Sequence, residues 1–173
     1  RLVFVNSPGN PTGWLASEAE LAALLALARA RGMWLVSDEV YGRLVYDRPV
    51  APSLIPLATA DDPVVVVNSL SKSWSMTGWR LGWIVAPPAL ISAIEKMTEF
   101  NVSHPTSFAQ WGGVAALDQG DAYIAGLVRR YAAAGAQVYA RLAALPRVRL
   151  APPRASNPRV ATSASSLRAA LRS

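Results

Sequence analysis

Of the two lysines in the chain, Lys72 and Lys96, only Lys72 stands where an amine has chemical work to do. It sits in Ser69-Leu70-Ser71-Lys72-Ser73, directly after a Val-rich run, ringed by hydroxyls, with Arg80 eight residues on. An amine that can shed its proton forms an imine with a carbonyl, and a guanidinium beside it can hold an anion. The pattern asks for an aldehyde that carries a phosphate, for which pyridoxal 5'-phosphate is the obvious candidate. Lys96, flanked by Glu95 and close to Glu99, reads instead as a solvated surface lysine.

The elements that position Lys72 follow from pattern. Leu2 to Val5 is a short apolar run ending in turn chemistry, Asn6-Ser7-Pro8-Gly9-Asn10-Pro11-Thr12-Gly13. Ser17 with Glu20 predicts a capping box, Leu21, Leu24, Leu25 and Ala28 share one helical face, and Gly32 supplies the stop. Met33 to Ser37 reads as a buried strand ending at Asp38-Glu39-Val40-Tyr41. A Pro-punctuated loop leads to Val64-Val65-Val66-Val67, apolar on both faces as in a covered parallel sheet. Arg80 to Ala86 reads as a further strand, and helices are predicted near 89–100, 106–118 and 121–145. The order predicts an α/β fold of three layers, a mostly parallel sheet flanked by helices. In such sheets ligands gather beyond the carboxyl ends of strands, which is where Asn10, Asp38, Ser69 and Lys72 fall.

Asn10-Pro11-Thr12-Gly13, then Ser37-Asp38-Glu39-Val40-Tyr41, then Ser69-Leu70-Ser71-Lys72 through Gly78-Trp79-Arg80-Leu81-Gly82 resembles the class I/II aminotransferases, pyridoxal-phosphate enzymes of fold type I. The resemblance runs from about residue 1 to 146 and implies an incomplete cofactor-binding large domain. It implies roles as well. Lys72 would be the Schiff-base lysine and later the base that moves the α-proton. Asp38 would pair with the pyridine nitrogen, while Tyr41 and Asn10 would hydrogen-bond the phenolic oxygen. Ser69, Ser71 and Arg80 would grip the phosphate. The Asn10–Pro11 peptide would be cis, and Gly78 and Gly82 would let backbone pass close to the grip. The implied activity is amino-group transfer between an amino acid and a 2-oxo acid, by a cytoplasmic homodimer in full-length form.

Other readings bear on the same residues. Ser69-Leu70-Ser71-Lys72 fits the Ser-x-x-Lys pattern of penicillin-binding proteins, but no Ser-Asp-Asn or Lys-Thr-Gly element follows. An aminotransferase-like effector-sensing domain of a transcription regulator, or a lyase on the same fold, would share these motifs. His104, before Pro105, reads as a capping or packing residue, and Trp74, Trp79, Trp83 and Trp111 as core.

The net charge of +6 does not indicate nucleic acid. Residues 1–146 hold 11 basic and 11 acidic side chains; residues 147–173 hold six arginines, no acid and no aromatic residue for stacking on bases. No apolar stretch reaches the length of a membrane span, and without cysteine there is no disulfide framework or thiolate metal site. The expected division is 1–120 for the partial large domain, 121–146 for a helix leading onward, and 147–173 for an irregular basic tail, whose composition suggests a truncated or out-of-frame reading of the gene.

Overall fold

Four short strands carry the sheet: β1 (Leu2–Asn6), β2 (Trp34–Asp38), β3 (Val64–Ser69) and β4 (Gly82–Val85), hydrogen-bonded in that order. The computed structural model describes residues 1–152, 154 and 155. β1, β2 and β3 run parallel, with Asn6 opposite Asp38 and Asp38 opposite Val67. β4 returns antiparallel to β3, placing Gly82 opposite Ser69. The expected mostly parallel sheet is what forms, with one antiparallel strand at its edge.

The crossover from β1 to β2 is α1 (Glu18–Arg31), and its limits follow from its caps. The Glu20 backbone N–H donates to Ser17 Oγ at 3.2 Å, and the Ser17 backbone N–H donates to Glu20 Oε2 at 2.7 Å. Gly32 ends the helix in the left-handed region at φ 56°, which a residue without Cβ adopts freely. Leu21, Leu25 and Ala28 turn inward and meet Val5, Leu35, Leu54, Val64 and Val66 in the main core. Each fully buried leucine there contributes about 1.5–3 kcal/mol through removal of apolar surface from water.

The long connection from β2 to β3 is pinned by two acids. Glu39 is buried, and its Oε1 accepts hydrogen bonds from Ser37 Oγ and the Leu54 backbone N–H, both at 3.0 Å. Asp62 accepts two bonds from the Arg29 guanidinium at 2.6 Å and one from the Thr59 backbone N–H at 2.7 Å. Those donors, Arg29 foremost, hold the Asp62 carboxyl well below the usual carboxylate range.

Beyond β3 the burial changes. A single helical turn, α2 (Leu70–Ser73), leads through a 3-10 turn (Thr77–Trp79) to β4, none of whose residues is buried. Helix α3 (Pro88–Asn101) also buries no residue, and α4 (Ser107–Gln119) buries only Ala109 and Gly113. Trp79, Trp83 and Trp111 are therefore exposed rather than core, because no described segment covers this side. Trp74 alone of the four is half-buried, its indole N–H donating to the Ala116 carbonyl at 2.8 Å. Helix α5 (Asp121–Ala143) returns Leu127 against Tyr41 and Leu44.

Two residues of the basic tail contact the rest of the chain. Ala155 forms an antiparallel bridge to Val45 and is fully buried with Leu15 and Ala51, while Arg154 pairs with Asp47 at 3.0 Å. Arg159, Arg168 and Arg172 lie outside the described residues. Among the described residues no helix is long and apolar enough to cross a membrane, and no cluster of three or more metal-ligating side chains occurs.

Candidate active site

The parallel register brings three chain reversals to one rim of the sheet. After β1 the chain turns through Ser7 to Gly13, with the Ser7 backbone N–H on the Asp38 carbonyl at 3.1 Å. After β2, the Glu39 N–H reaches the Val67 carbonyl at 2.9 Å, tying that turn to β3. Both Ser7–Pro8 and Asn10–Pro11 are cis peptides, the second as expected and the first in addition.

Asn10 and Tyr41 meet directly: the Asn10 side-chain amide donates to the Tyr41 hydroxyl at 3.0 Å. Tyr41 is buried among Leu44 and Leu127, so its ring is fixed by packing and its hydroxyl by Asn10. Lys72 Nζ lies 5.7 Å from the centre of the same ring. The half-buried Lys72 forms no ion pair among the described residues.

Ser69 caps the α2 turn, its Oγ accepting from the Ser71 backbone N–H at 3.0 Å and donating to the Leu81 carbonyl at 3.1 Å. Ser69, Ser71 and Arg80 line one cleft of about 470 Å³ with Leu81, Gly82 and Trp83. Arg80 has φ 52°, uncommon for any residue but glycine, and is exposed. Its guanidinium donates to the Thr77 carbonyl at 2.9 Å and pairs with no carboxylate among the described residues. Gly82 is required here, since a Cβ would stand 2.5 Å from the Asn68 carbonyl oxygen. Gly78 is not: its added Cβ would meet open space.

Asp38 stands apart. Its Oδ1 accepts from the Val40 backbone N–H at 3.2 Å, and no side-chain bond joins it to Lys72 or Arg80. It shares the rim through register, as the partner of Asn6 and Val67. The candidate residues thus fall into an Asn10–Tyr41–Lys72 group, a Ser69–Ser71–Arg80 group joined to it through α2, and Asp38 at the carboxyl end of β2. A second hollow of about 870 Å³, lined by Ile84, Met97, Phe100 and Val102 with Lys96, Thr98 and Asn101, contains none of them and is mostly apolar. His104 is exposed, with its Nδ1 2.7 Å from the Pro105 carbonyl.

Sequence reasoning missed the work of Glu39 and of Thr77. The signal for Glu39 was present in the alternation of β2, which sends Ser37 and Glu39 to the same, buried, face.

Comparison with known proteins bears on the family and the fold. A model of the family described as aminotransferase class I and II matches residues 1–157. The chain is 37% identical over 121 residues to the asparagine–oxo-acid transaminase of Streptococcus mutans, covering 68% of this chain and 30% of that protein. It is 39% identical over 117 residues to the aspartate aminotransferase of Geobacillus stearothermophilus, covering 67% of this chain and again 30% of the relative. The crystal structure of aspartate aminotransferase from Thermotoga maritima superposes with a TM-score of 0.81 at 31% identity, over 90% of this chain and 40% of that one. The chain spans about a third of the length of the curated relatives it matches. On these grounds it belongs to the class I and II aminotransferase family.

Proposed function

We propose that the chain provides the cofactor-anchoring part of a pyridoxal-phosphate-dependent aminotransferase, which moves an amino group between an amino acid and a 2-oxo acid. The donor set fits the cofactor: an arginine without a carboxylate partner beside two serine hydroxyls suits a phosphate, and an unpaired lysine suits an aldehyde. When bound, pyridoxal phosphate supplies the electron sink that makes loss of the substrate's α-proton feasible. Lys72 would hold the group through its aldehyde carbon, and its Nζ, when free, would be the base that takes and returns that proton. Asp38, at the rim, would offer its carboxylate to the pyridine N–H. The Tyr41 hydroxyl and the Asn10 amide, already paired at 3.0 Å, would orient the phenolic oxygen. Ser69, Ser71 and Arg80 would hold the phosphate, Arg80 through its planar fork.

The observation that carries this reading is the convergence of Asn10, Tyr41 and Lys72 from three separate reversals of the chain. Titration with pyridoxal phosphate tests it. The expected outcome is a new absorbance band near the visible edge that disappears in Lys72→Ala and survives in Lys96→Ala. A band that persists in Lys72→Ala rejects the assigned lysine. The reading also takes residues 1–120 as the cofactor-binding part and 121–146 as the helix leading onward, supported by the unbroken α5. A homodimer and a cytoplasmic location rest on the family resemblance; light scattering and cell fractionation check them.

A further inference from the structure

Arg43 touches both turns that carry the candidate site. It follows Tyr41 by two residues, and its guanidinium carbon lies 5.9 Å from the ring centre of Trp74, which follows Lys72 by two. Its Nη2 donates at 2.7 Å to Asp121 Oδ1, on the first residue of α5. Trp74 is itself fixed from behind: its indole N–H bonds to the Ala116 carbonyl, and a Cβ on Gly120 would collide with its ring. Arg43 Nε is buried with no hydrogen-bond partner. A side chain that leaves a buried N–H unpaired is not placed to satisfy its own donors. Its placement is explained by the ring on one side and Asp121 on the other.

We infer that Arg43 is a positioning residue that clamps the Lys72 turn against the Tyr41 turn and so fixes the amine over the tyrosine ring. The inference rests on the proposed role of Lys72, but its geometry involves no cofactor. Because the chain has only two lysines, Lys96 serves as an internal reference for Lys72.

Amine labelling at limiting reagent, read by mass spectrometry as the Lys72/Lys96 ratio in the full chain, tests the clamp without cofactor. Arg43→Ala should raise the ratio about threefold, the change in local opening expected when one partly exposed cation–π contact is lost. Arg43→Lys, which keeps a cation over the ring, should restore most of the native ratio. Asp121→Asn, at an exposed position, should raise it less and serves where Arg43→Ala does not fold. An unchanged ratio in a folded variant, or an equal rise at both lysines, overturns the inference. Protection by pyridoxal phosphate separates the two ideas. If native Lys72 is not protected, the cofactor reading fails whatever Arg43 does. If native Lys72 is protected but Arg43→Ala leaves both the ratio and the half-protecting concentration unchanged, only the clamp fails.

Discussion

The face of β1 and β2 that α1 covers and the region built from β4, α3 and α4 are both rich in large apolar residues, but only the first is shielded from water. Even on β1, Leu2 and Phe4, outside the main core, are 60% and 61% exposed. On the first side Leu21, Leu25, Leu35 and Leu54 are at most 2% exposed. On the second Phe100 is 86% exposed, Trp111 75% and Met97 74%. The candidate site lies across the boundary. Tyr41 and the Lys72 turn are set by packing, whereas Arg80 stands on the open side with its backbone in the left-handed region. The setting of the Lys72 amine is therefore a property of this chain's own core, and the proposed grip of Arg80 on an anion is the part its packing leaves loose.

The contrast is most sharply broken or upheld by truncating one side chain on each side. Leu35→Ala should cost about 2–5 kcal/mol in urea unfolding, and Met97→Ala no more than about 0.5 kcal/mol, because only the first leaves a cavity. Equal losses would mean that the two sides are packed alike.

Arg80→Ala should weaken pyridoxal phosphate binding by roughly 10- to 100-fold, as expected for lost bonds to a charged group. Its urea midpoint should stay unchanged, as befits an exposed residue. A lowered midpoint would place Arg80 in the scaffold.

The Asp62–Arg29 pair sharpens the same contrast through pH. The Asp62 carboxyl is depressed below a free carboxylate's usual value of 3.8. Its contribution is thus fully present at neutral pH and is lost as pH falls below about 4, toward the folded-state value. Asp62→Asn should lower the melting temperature at pH 7 and flatten the decline between pH 4 and pH 2. An acid decline identical to that of the native chain would remove Asp62 from the account.

Ser17→Ala, the smallest of these, should cost about 1 kcal/mol by uncapping α1, read from the shift in thermal midpoint.

What the sequence made legible is what local chemistry dictates. The capping box at Ser17, the stop at Gly32 and the turn at Asn10–Pro11 need only neighbouring residues, and each forms where expected. The strand ends were legible only approximately: the apolar runs stop at Val5, Ser37 and Val67, whereas the strands continue into the polar residues as far as Asn6, Asp38 and Ser69. The direction of β4 was not legible, because Gly82 to Val85 has the same apolar pattern whichever way it pairs. The exposure of Trp79, Trp83 and Trp111 was not legible either, since hydrophobicity marks a preference for cover without supplying it. Among the site residues, the types and order of Asn10, Asp38, Tyr41, Ser69, Ser71, Lys72 and Arg80 were evident. The contact of Asn10 with Tyr41, and of Arg80 with Thr77, depended on turns whose geometry no local pattern encodes.

Neighbouring acids Asp38 and Glu39 leave β2 in opposite directions, one to the rim and one into the interior. Sliding that strand by a single position against β1 would reverse both assignments at once. The longer acid would then stand outside and the shorter one would be buried among leucines, so alignment between strands, and not residue identity alone, decides which carboxylate remains free for chemistry.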